Sequence, residues 1–160
     1  ALDITEKASG KAVFSHPGKM KWTYLEPEQH QVITNGSTLW IYRPEENQVM
    51  IGDARSFFNS GAGGAFLSDI SLIRKNYNIR IKEITDTYIE MDMENKNKNA
   101  QISSLVIRVD KLSYEILQVT TYNPYEDTTL FEFRQAKFIE PDPGLFEFII
   151  PDDVTILEME

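Results

Sequence analysis

A hairpin signal at residues 30–42 constrains the fold more than any other stretch of this chain. In HQVITNGSTLWIY, the dipeptide Asn35-Gly36 separates two runs rich in β-branched and aromatic residues. Asn-Gly favours a two-residue type I′ turn, because both central positions of that turn need a positive φ. With these two residues as the loop, the predicted cross-strand pairs are Thr34–Ser37, Val32–Leu39 and His30–Ile41.

Both faces of the predicted hairpin are apolar. One face carries Val32, Leu39 and Ile41, and the other carries Ile33, Trp40 and Tyr42. A strand pair that is apolar on both sides is packed between two layers or lines an internal space. The pattern alone therefore leaves two interpretations open, a hydrophobic core and a site for an apolar ligand.

The segment before the hairpin alternates as a half-buried strand. In residues 19–25 (KMKWTYL), the apolar side chains of Met20, Trp22 and Tyr24 share one side. Further strand-like runs are predicted at residues 78–84, 87–94, 102–110, 114–122, 128–138 and 146–150. Short strands separated by turns are typical of an antiparallel barrel or sandwich, so the predicted fold class is mainly β (α+β).

Residues 53–75 interrupt the strands with a helical pattern. Asp53 is a suitable N-cap for a short helix that carries Phe57. The glycines in residues 61–64 provide a hinge. After them, apolar residues recur at helical spacing, namely Phe66, Leu67, Ile70 and Ile73. An apolar helical segment laid on a curved sheet forms a lid over a pocket as readily as a layer of the core.

Composition disfavours several function classes. The formal net charge is −9, whereas proteins that bind nucleic acid or anionic membranes are usually basic. No apolar run approaches the length of a membrane span, so we expect no stable membrane insertion. The chain has no cysteine, which excludes disulfides, thiolate zinc sites and a cysteine nucleophile.

No sequence pattern points to catalysis, a metal ion or a cofactor. The two histidines, His16 and His30, lack metal-ligand spacing. The glycines of residues 61–64 lack the Lys-Ser/Thr of a phosphate-binding loop. Carboxylate pairs such as Glu26 and Glu28 arise by chance in a chain with 25 acidic residues, which leaves a small acidic hydrolase as a weak alternative. We predict that the protein is not an enzyme and holds no cofactor.

Three stretches resemble, in order, the LolA family of periplasmic outer-membrane lipoprotein carriers. They are SHPGKMKWTY, HQVITNGSTLWIYRPEENQV and LFEFIIPDDVTIL, with the Gly-rich helical segment between the second and the third. The resemblance covers residues 10–157. It implies a curved, incomplete antiparallel β-barrel covered by a helical lid, with one carrier domain over residues 1–160 and the lid inserted at about residues 53–75. It also implies that the family's N-terminal helix and first strand are missing from this chain.

The resemblance implies a function as well. Such a carrier holds the acyl chains of lipoproteins in a hydrophobic cavity and works in the periplasm, after removal of a signal peptide that this chain lacks. Its expected partners are an inner-membrane ABC-type lipoprotein transporter and an outer-membrane lipoprotein receptor. The residues expected to line the acyl-chain cavity are Met20, Trp22, Tyr24, Val32, Leu39, Ile41, Phe57, Phe66, Leu67, Ile70, Phe131 and Phe133.

Two positions depart from the family pattern. The family places an arginine before Pro17-Gly18 as a latch between barrel and lid; His16 stands there and is the predicted lid latch. Met20 stands where an aromatic residue is common at the rim, so we expect Met20 at the cavity mouth and Trp22 deeper. A charge at Met20 should then cost the fold only ~1 kcal/mol.

A lipoprotein sensor on the same scaffold is a second alternative. It would resemble the periplasmic stress regulators that detect mislocalised lipoproteins. Those regulators carry an extra domain, and a length of 160 residues favours the carrier.

Overall fold

The computed structural model describes residues 4–60 and 67–159, which form two compact units. The first unit comprises Ala1–Ile70 with Pro141–Glu160, and the second comprises Ser71–Glu140. The predicted hinge at residues 61–64 and Phe66 lie outside the described residues. Both units are mainly β, as predicted, and among the described strands neither sheet closes into a barrel.

The first unit contains a six-stranded sheet with the order β1-β2-β3-β4-β5-β11. Its strands are β1 (Ser9–Ser15), β2 (Lys19–Glu26), β3 (His30–Thr34), β4 (Thr38–Arg43), β5 (Gln48–Asp53) and β11 (Thr155–Glu158). Neighbouring strands are antiparallel except for the last pair, because β11 runs parallel to β5. The predicted antiparallel arrangement is thus confirmed for every described strand pair except this one, and the sequence pattern did not predict β1 or β11.

The strand predicted at residues 146–150 was also wrong. Here a 3-10 helix spans Pro143–Phe146 and no strand follows it directly. The Oδ1 atom of Asp142 accepts a hydrogen bond from the backbone N–H of Gly144 at 2.9 Å. A capping aspartate followed by proline at the first helical position starts a helical turn, and this local preference outweighs the alternating apolar pattern that follows.

The turn between β3 and β4 differs from the predicted type I′ turn. Thr34 pairs with Leu39 and Val32 with Ile41, so the loop is residues 35–38. Gly36 has a φ of 98°, but Asn35 does not have the positive φ that a type I′ turn requires. Instead, Oδ1 of Asn35 accepts hydrogen bonds from the backbone N–H groups of Ser37 and Thr38 at 3.0 and 2.9 Å. This side-chain turn lengthens the loop and shifts the predicted pairing by two residues.

The two-residue shift leaves the predicted faces of the hairpin intact, because side chains alternate with a period of two. We define the front face by Met20, Trp22, Tyr24, Val32, Leu39 and Ile41, and the back face by Ile33, Trp40 and Tyr42. Residues 143–148 pack against part of the back face: the ring of Phe148 lies 5.2 Å from that of Tyr42, Nδ2 of Asn35 donates to the carboxylate of Glu147, and Phe146 is 1% exposed. The hairpin is thus packed on its back face, and the front face is the one left to consider as a site.

Two short helices form within the predicted helical segment. Helix α1 (Ala54–Ser60) follows β5 directly, and Oδ1 of Asp53 accepts a hydrogen bond from the backbone N–H of Ser56 at 3.0 Å. This contact confirms Asp53 as the predicted N-cap. Helix α2 (Ile70–Asn76) begins after a short turn at residues 67–68 and leads directly into the second sheet.

The second unit contains a five-stranded antiparallel sheet with the order β10-β9-β8-β7-β6. Its strands are β6 (Tyr77–Ile84), β7 (Tyr88–Asn95), β8 (Ser104–Asp110), β9 (Ile116–Tyr122) and β10 (Thr128–Glu132). One face is buried and apolar, with Met93, Leu105, Ile107 and Val119. Strand β10 ends at Glu132 and is shorter than the predicted 128–138; beyond it, Gln135 adopts a φ of 57°, which is not an extended conformation.

The other face of this sheet carries a charge ladder centred on Glu90. Its carboxylate lies 2.7 Å from Nε of Arg108 and 3.3 Å from Nζ of Lys82, and its side chain is 8% exposed. The hydrogen bond from Arg108, followed by that from Lys82, lowers the pKa of Glu90 against the opposing effect of burial. The Arg108 guanidinium also lies 4.7 Å from the centre of the Tyr88 ring.

We expect Glu90→Gln to lower the free energy of unfolding by about 1 kcal/mol at pH 7, because the basic partners are half exposed and screened. Since the folded-state pKa of Glu90 is depressed, its contribution is present above the ordinary pKa of 4.5 and is lost as the pH falls through the folded-state value. The difference in the free energy of unfolding between wild type and Glu90→Gln should therefore become smaller below pH 4.5. Urea unfolding at a series of pH values measures it, and a difference that stays constant into acid would contradict this role for Glu90.

Candidate apolar binding face

The front face carries a continuous row of side chains that crosses the first sheet. Phe14 pairs with Met20, Met20 with Thr34, Thr34 with Leu39, and Leu39 with Gly52. Met20, Val32 and Leu39 form the buried centre of an apolar cluster. Packed against this centre are Phe14, Trp22, Tyr24, Ile41, Phe57 and Met159. All the predicted cavity residues of the first sheet, together with Phe57 of α1, are thus in one cluster.

An aromatic strip extends from this cluster across β1, β2 and β3. The ring of Phe14 meets Trp22 edge-on at 5.6 Å, and Trp22 stacks on Tyr24 at 5.9 Å. His30 then stacks on Tyr24 at 4.2 Å. Burial raises the pKa of the Tyr24 hydroxyl, although Trp22 and Tyr24 both remain partly exposed. The strip therefore joins the buried centre to a part of the front face that solvent reaches.

Met20 does not lie at a rim, contrary to the sequence-based expectation. Its side chain is 0% exposed, whereas that of Trp22 is partly exposed. The turn before Met20 is itself covered, because the backbone N–H of Gly18 donates to the carbonyl of Ser68 at 2.8 Å and Ser68 is buried. Nε1–H of Trp22 also donates to Sδ of Met20 at 2.9 Å. Met20 is therefore buried more deeply than Trp22, which is the reverse of the predicted order.

His16 contacts Asp69, the residue that precedes α2, and its role as a lid latch stays a prediction. Its Nδ1 atom is 3.7 Å from Oδ1 of Asp69, in the short connection between the turn at residues 67–68 and α2. This contact is an ion pair only when the imidazole is protonated. Together with the Gly18–Ser68 hydrogen bond, it gives the Pro17-Gly18 turn two polar contacts with residues 68–69.

The other predicted cavity residues are distributed more widely. Leu67 is buried, whereas Ile70 is mostly exposed. Phe131 and Phe133 are partly buried and belong to the second unit. Their place in a shared cavity stays a prediction, as does that of Phe66.

Sequence reasoning did not identify Phe14, Asp69 or Met159 as parts of this region. The alternation of KAVFS gave a usable signal for Phe14, because it places Phe14 and Ala12 on one face. Asp69 and Met159 had no such signal. Their positions depend on a loop contact and on a parallel strand pair between segments far apart in the sequence.

Within residues 4–60 and 67–159, no helix is long and apolar enough to cross a membrane. In the same residues, no cluster of three or more His, Cys, Asp or Glu side chains is suited to holding a metal ion. The side chains of the front face are mainly apolar and aromatic, so this face offers dispersion and aromatic contacts, which suit an apolar ligand.

Comparisons with known proteins place the chain in a family. The family described as "Outer membrane lipoprotein carrier protein LolA" matches residues 2–149. The chain belongs to this LolA family of outer membrane lipoprotein carrier proteins.

Individual relatives share little sequence identity with this chain, but the matches extend over most of its length. An outer-membrane lipoprotein carrier protein of Shewanella halifaxensis is 25% identical over 158 residues, which is 96% of this chain and 73% of the relative. The carrier of Coxiella burnetii is 22% identical over 146 residues, covering 91% of this chain and 68% of the relative. The crystal structure of the LolA superfamily protein NE2245 from Nitrosomonas europaea overlaps 87% of this chain and 67% of its own, with 12% identity and a TM-score of 0.43.

Proposed function

We propose that this protein is a periplasmic carrier that holds lipoprotein acyl chains against the front face of the first sheet. It would receive them from an inner-membrane ABC-type lipoprotein transporter and deliver them to an outer-membrane lipoprotein receptor. The observation that carries the proposal is the apolar cluster around Met20, Val32 and Leu39, which continues into the partly exposed aromatic strip. Family membership supports the same class of cargo.

The chemistry of this face favours an acyl chain over a polar ligand. Trp22 and Tyr24 present flat, rigid apolar surfaces, and Met20 adapts its shape to a flexible chain. Each buried CH₂ of the ligand contributes ~0.8 kcal/mol, so a single chain gains about 10 kcal/mol before the costs of ordering it. We infer that the chain enters at the solvent-exposed end of the strip, beside Tyr24 and His30.

A carrier must also release its cargo, and the covering segment provides an opposing cost. In this proposal α1 and residues 67–69 form the part of the lid that closes over the buried end of the front face. The Gly18–Ser68 hydrogen bond and the His16–Asp69 pair act as the latch. Displacing them on loading offsets part of the gain from acyl-chain burial, so the cargo stays transferable to a partner with higher affinity.

Binding of palmitic acid with displacement of an apolar fluorescent dye tests the proposal. The two tryptophans provide a matched pair, because Trp22 lies on the front face and Trp40 on the back face. In Trp40→Phe, the emission of the remaining Trp22 should change with palmitate. In Trp22→Phe, the emission of Trp40 should remain nearly constant. No dye uptake, or a response confined to Trp40, would contradict binding at the front face.

Palmitate titration also tests whether the His16–Asp69 pair acts as a latch. Since a partly exposed ion pair contributes at most about 1 kcal/mol, His16→Ala should tighten palmitate binding by no more than about fivefold. Lys98→Ala, which removes an exposed ion pair with Glu94 in the second unit, serves as the control variant. Equal affinities for wild type and His16→Ala would remove His16 from the latch and leave the front face as the proposed site.

A further inference from the structure

Strand β11 is attached to the first sheet along one edge only. The backbone N–H of Thr155 donates to the carbonyl of Asn47 at 2.9 Å, and that of Met159 donates to the carbonyl of Ile51 at 2.8 Å. The side-chain amide of Asn47 donates to the carbonyl of Asp153 at 2.6 Å. Every residue of β11 is exposed. A strand held mainly by exposed backbone hydrogen bonds, with little apolar burial, opens at a low free-energy cost.

The residue that follows β11 reaches the front face. The side chain of Met159 packs against the cluster of Met20, Val32 and Leu39. It does so above Gly52, where a Cβ atom on residue 52 would lie 2.5 Å from Cε of Met159 and 3.2 Å from its Cβ. Gly52 is therefore the position of β5 that leaves room for this methionine. Met159 continues the row that runs through Phe14, Met20 and Leu39.

We propose that β11 and Met159 form a displaceable strap that fills part of the acyl-chain face while the carrier is empty. An arriving acyl chain takes the place of the Met159 side chain, and the hydrogen bonds between β11 and β5 then break. This inference rests on the proposed function and deepens it. It assigns the ligand a competitor within the same chain, in addition to the latch at residues 67–69.

Methionine suits such a role physically. Its unbranched side chain fills an irregular apolar gap and leaves it with little steric hindrance. The apolar surface of Met20 and Leu39 then stays covered in the empty and the loaded protein. The competing interpretation is that β11 is a permanent edge strand that only protects β5 from unwanted pairing. The two differ in what happens to β11 when ligand binds.

Amide hydrogen exchange of the full chain, with and without saturating palmitic acid, separates these interpretations. We expect the protection of the Thr155 and Met159 amides to fall at least tenfold on loading. The amides that join β3 to β4 should keep their protection. Unchanged protection at Thr155 and Met159 in a protein shown to be loaded would overturn the strap.

Variants give an independent test through ligand affinity. Met159→Ala should bind palmitate about three- to tenfold more tightly than wild type, because the competitor is removed. Ile156→Ala is the matched control, since Ile156 lies in β11 itself and pairs with Val49, which places its side chain on the face opposite to Met159. Gly52→Ala should act in the same direction as Met159→Ala by expelling the methionine, and should add little in the double variant.

The outcomes are distinct for the two proposals. Unchanged or weaker palmitate binding by Met159→Ala would overturn the strap while leaving the carrier proposal in place. Absence of palmitate binding in wild type and every variant, each shown to be folded by circular dichroism, would overturn the proposed function and the strap with it.

Discussion

Replacing Met20 by Glu is expected to lower the free energy of unfolding by about 4 kcal/mol. Met20 is 0% exposed at the centre of the front-face cluster, and its surroundings are the apolar side chains of Val32 and Leu39. A carboxylate there would lose most of its hydration among apolar neighbours, and a single hydrogen bond from the Trp22 indole would offset only part of this cost. The sequence-based estimate of ~1 kcal/mol assumed a solvated position at the cavity mouth. Urea unfolding followed by circular dichroism measures the change.

Met20→Leu is the control for this substitution. A volume-conserving apolar replacement should cost less than about 1.5 kcal/mol, so the two variants separate the effect of charge from that of shape. If Met20→Glu proved as stable as Met20→Leu, the side chain would have to reach solvent. The buried position assigned to Met20 and its partner Thr34 would then be wrong.

Replacing Phe146 by Ala is expected to lower the free energy of unfolding by about 4 kcal/mol. Phe146 is 1% exposed and lies in the segment 143–148 that packs against part of the back face of the β3–β4 hairpin. Truncation leaves a cavity in addition to the lost apolar burial, and the 3-10 helix offers few ways to collapse into it. Thermal unfolding is a suitable measurement, since the expected loss is a large part of the stability of a small protein.

Phe138→Ala provides a comparison with the same chemistry at an exposed position. Phe138 is 80% exposed, so its truncation should change the free energy of unfolding by no more than about 0.5 kcal/mol. Similar losses in the two variants would mean that residues 143–148 do not pack against the back face in solution.

The residues that alternate along one strand were predicted correctly, because the period of side-chain direction is a local property. Met20, Trp22 and Tyr24 share a face with Val32 and Leu39 as expected. The depth of each residue on that face was not predictable in the same way. Met20 is buried in a cluster against which Phe57 and Met159 pack, and both of these residues are distant from it in the sequence.

Long-range pairings explain the other differences. The parallel contact of β11 with β5 joins residues about a hundred positions apart, and no local pattern encodes it. The 3-10 helix at Pro143–Phe146 had a local signal in Asp142 and Pro143, which the alternation of the following residues obscured. The predicted set of cavity residues extends over both units for a related reason. Periodicity identifies apolar positions but does not assign them to the same site.

The turn at Asn35 favours the native pairing of β3 and β4 over incorrect pairings. A hairpin slipped by two residues keeps every apolar side chain on its proper face, so hydrophobic sorting alone does not distinguish it from the native pairing. In the native turn Oδ1 of Asn35 holds the loop, while its Nδ2 donates to the carboxylate of Glu147 at 3.0 Å. A slipped turn would give Asn35 a positive φ and withdraw its side chain from both partners. The Asn35 amide thus links the length of this loop to the docking of residues 143–148, so that docking stabilises the native strand pairing over one slipped by two residues.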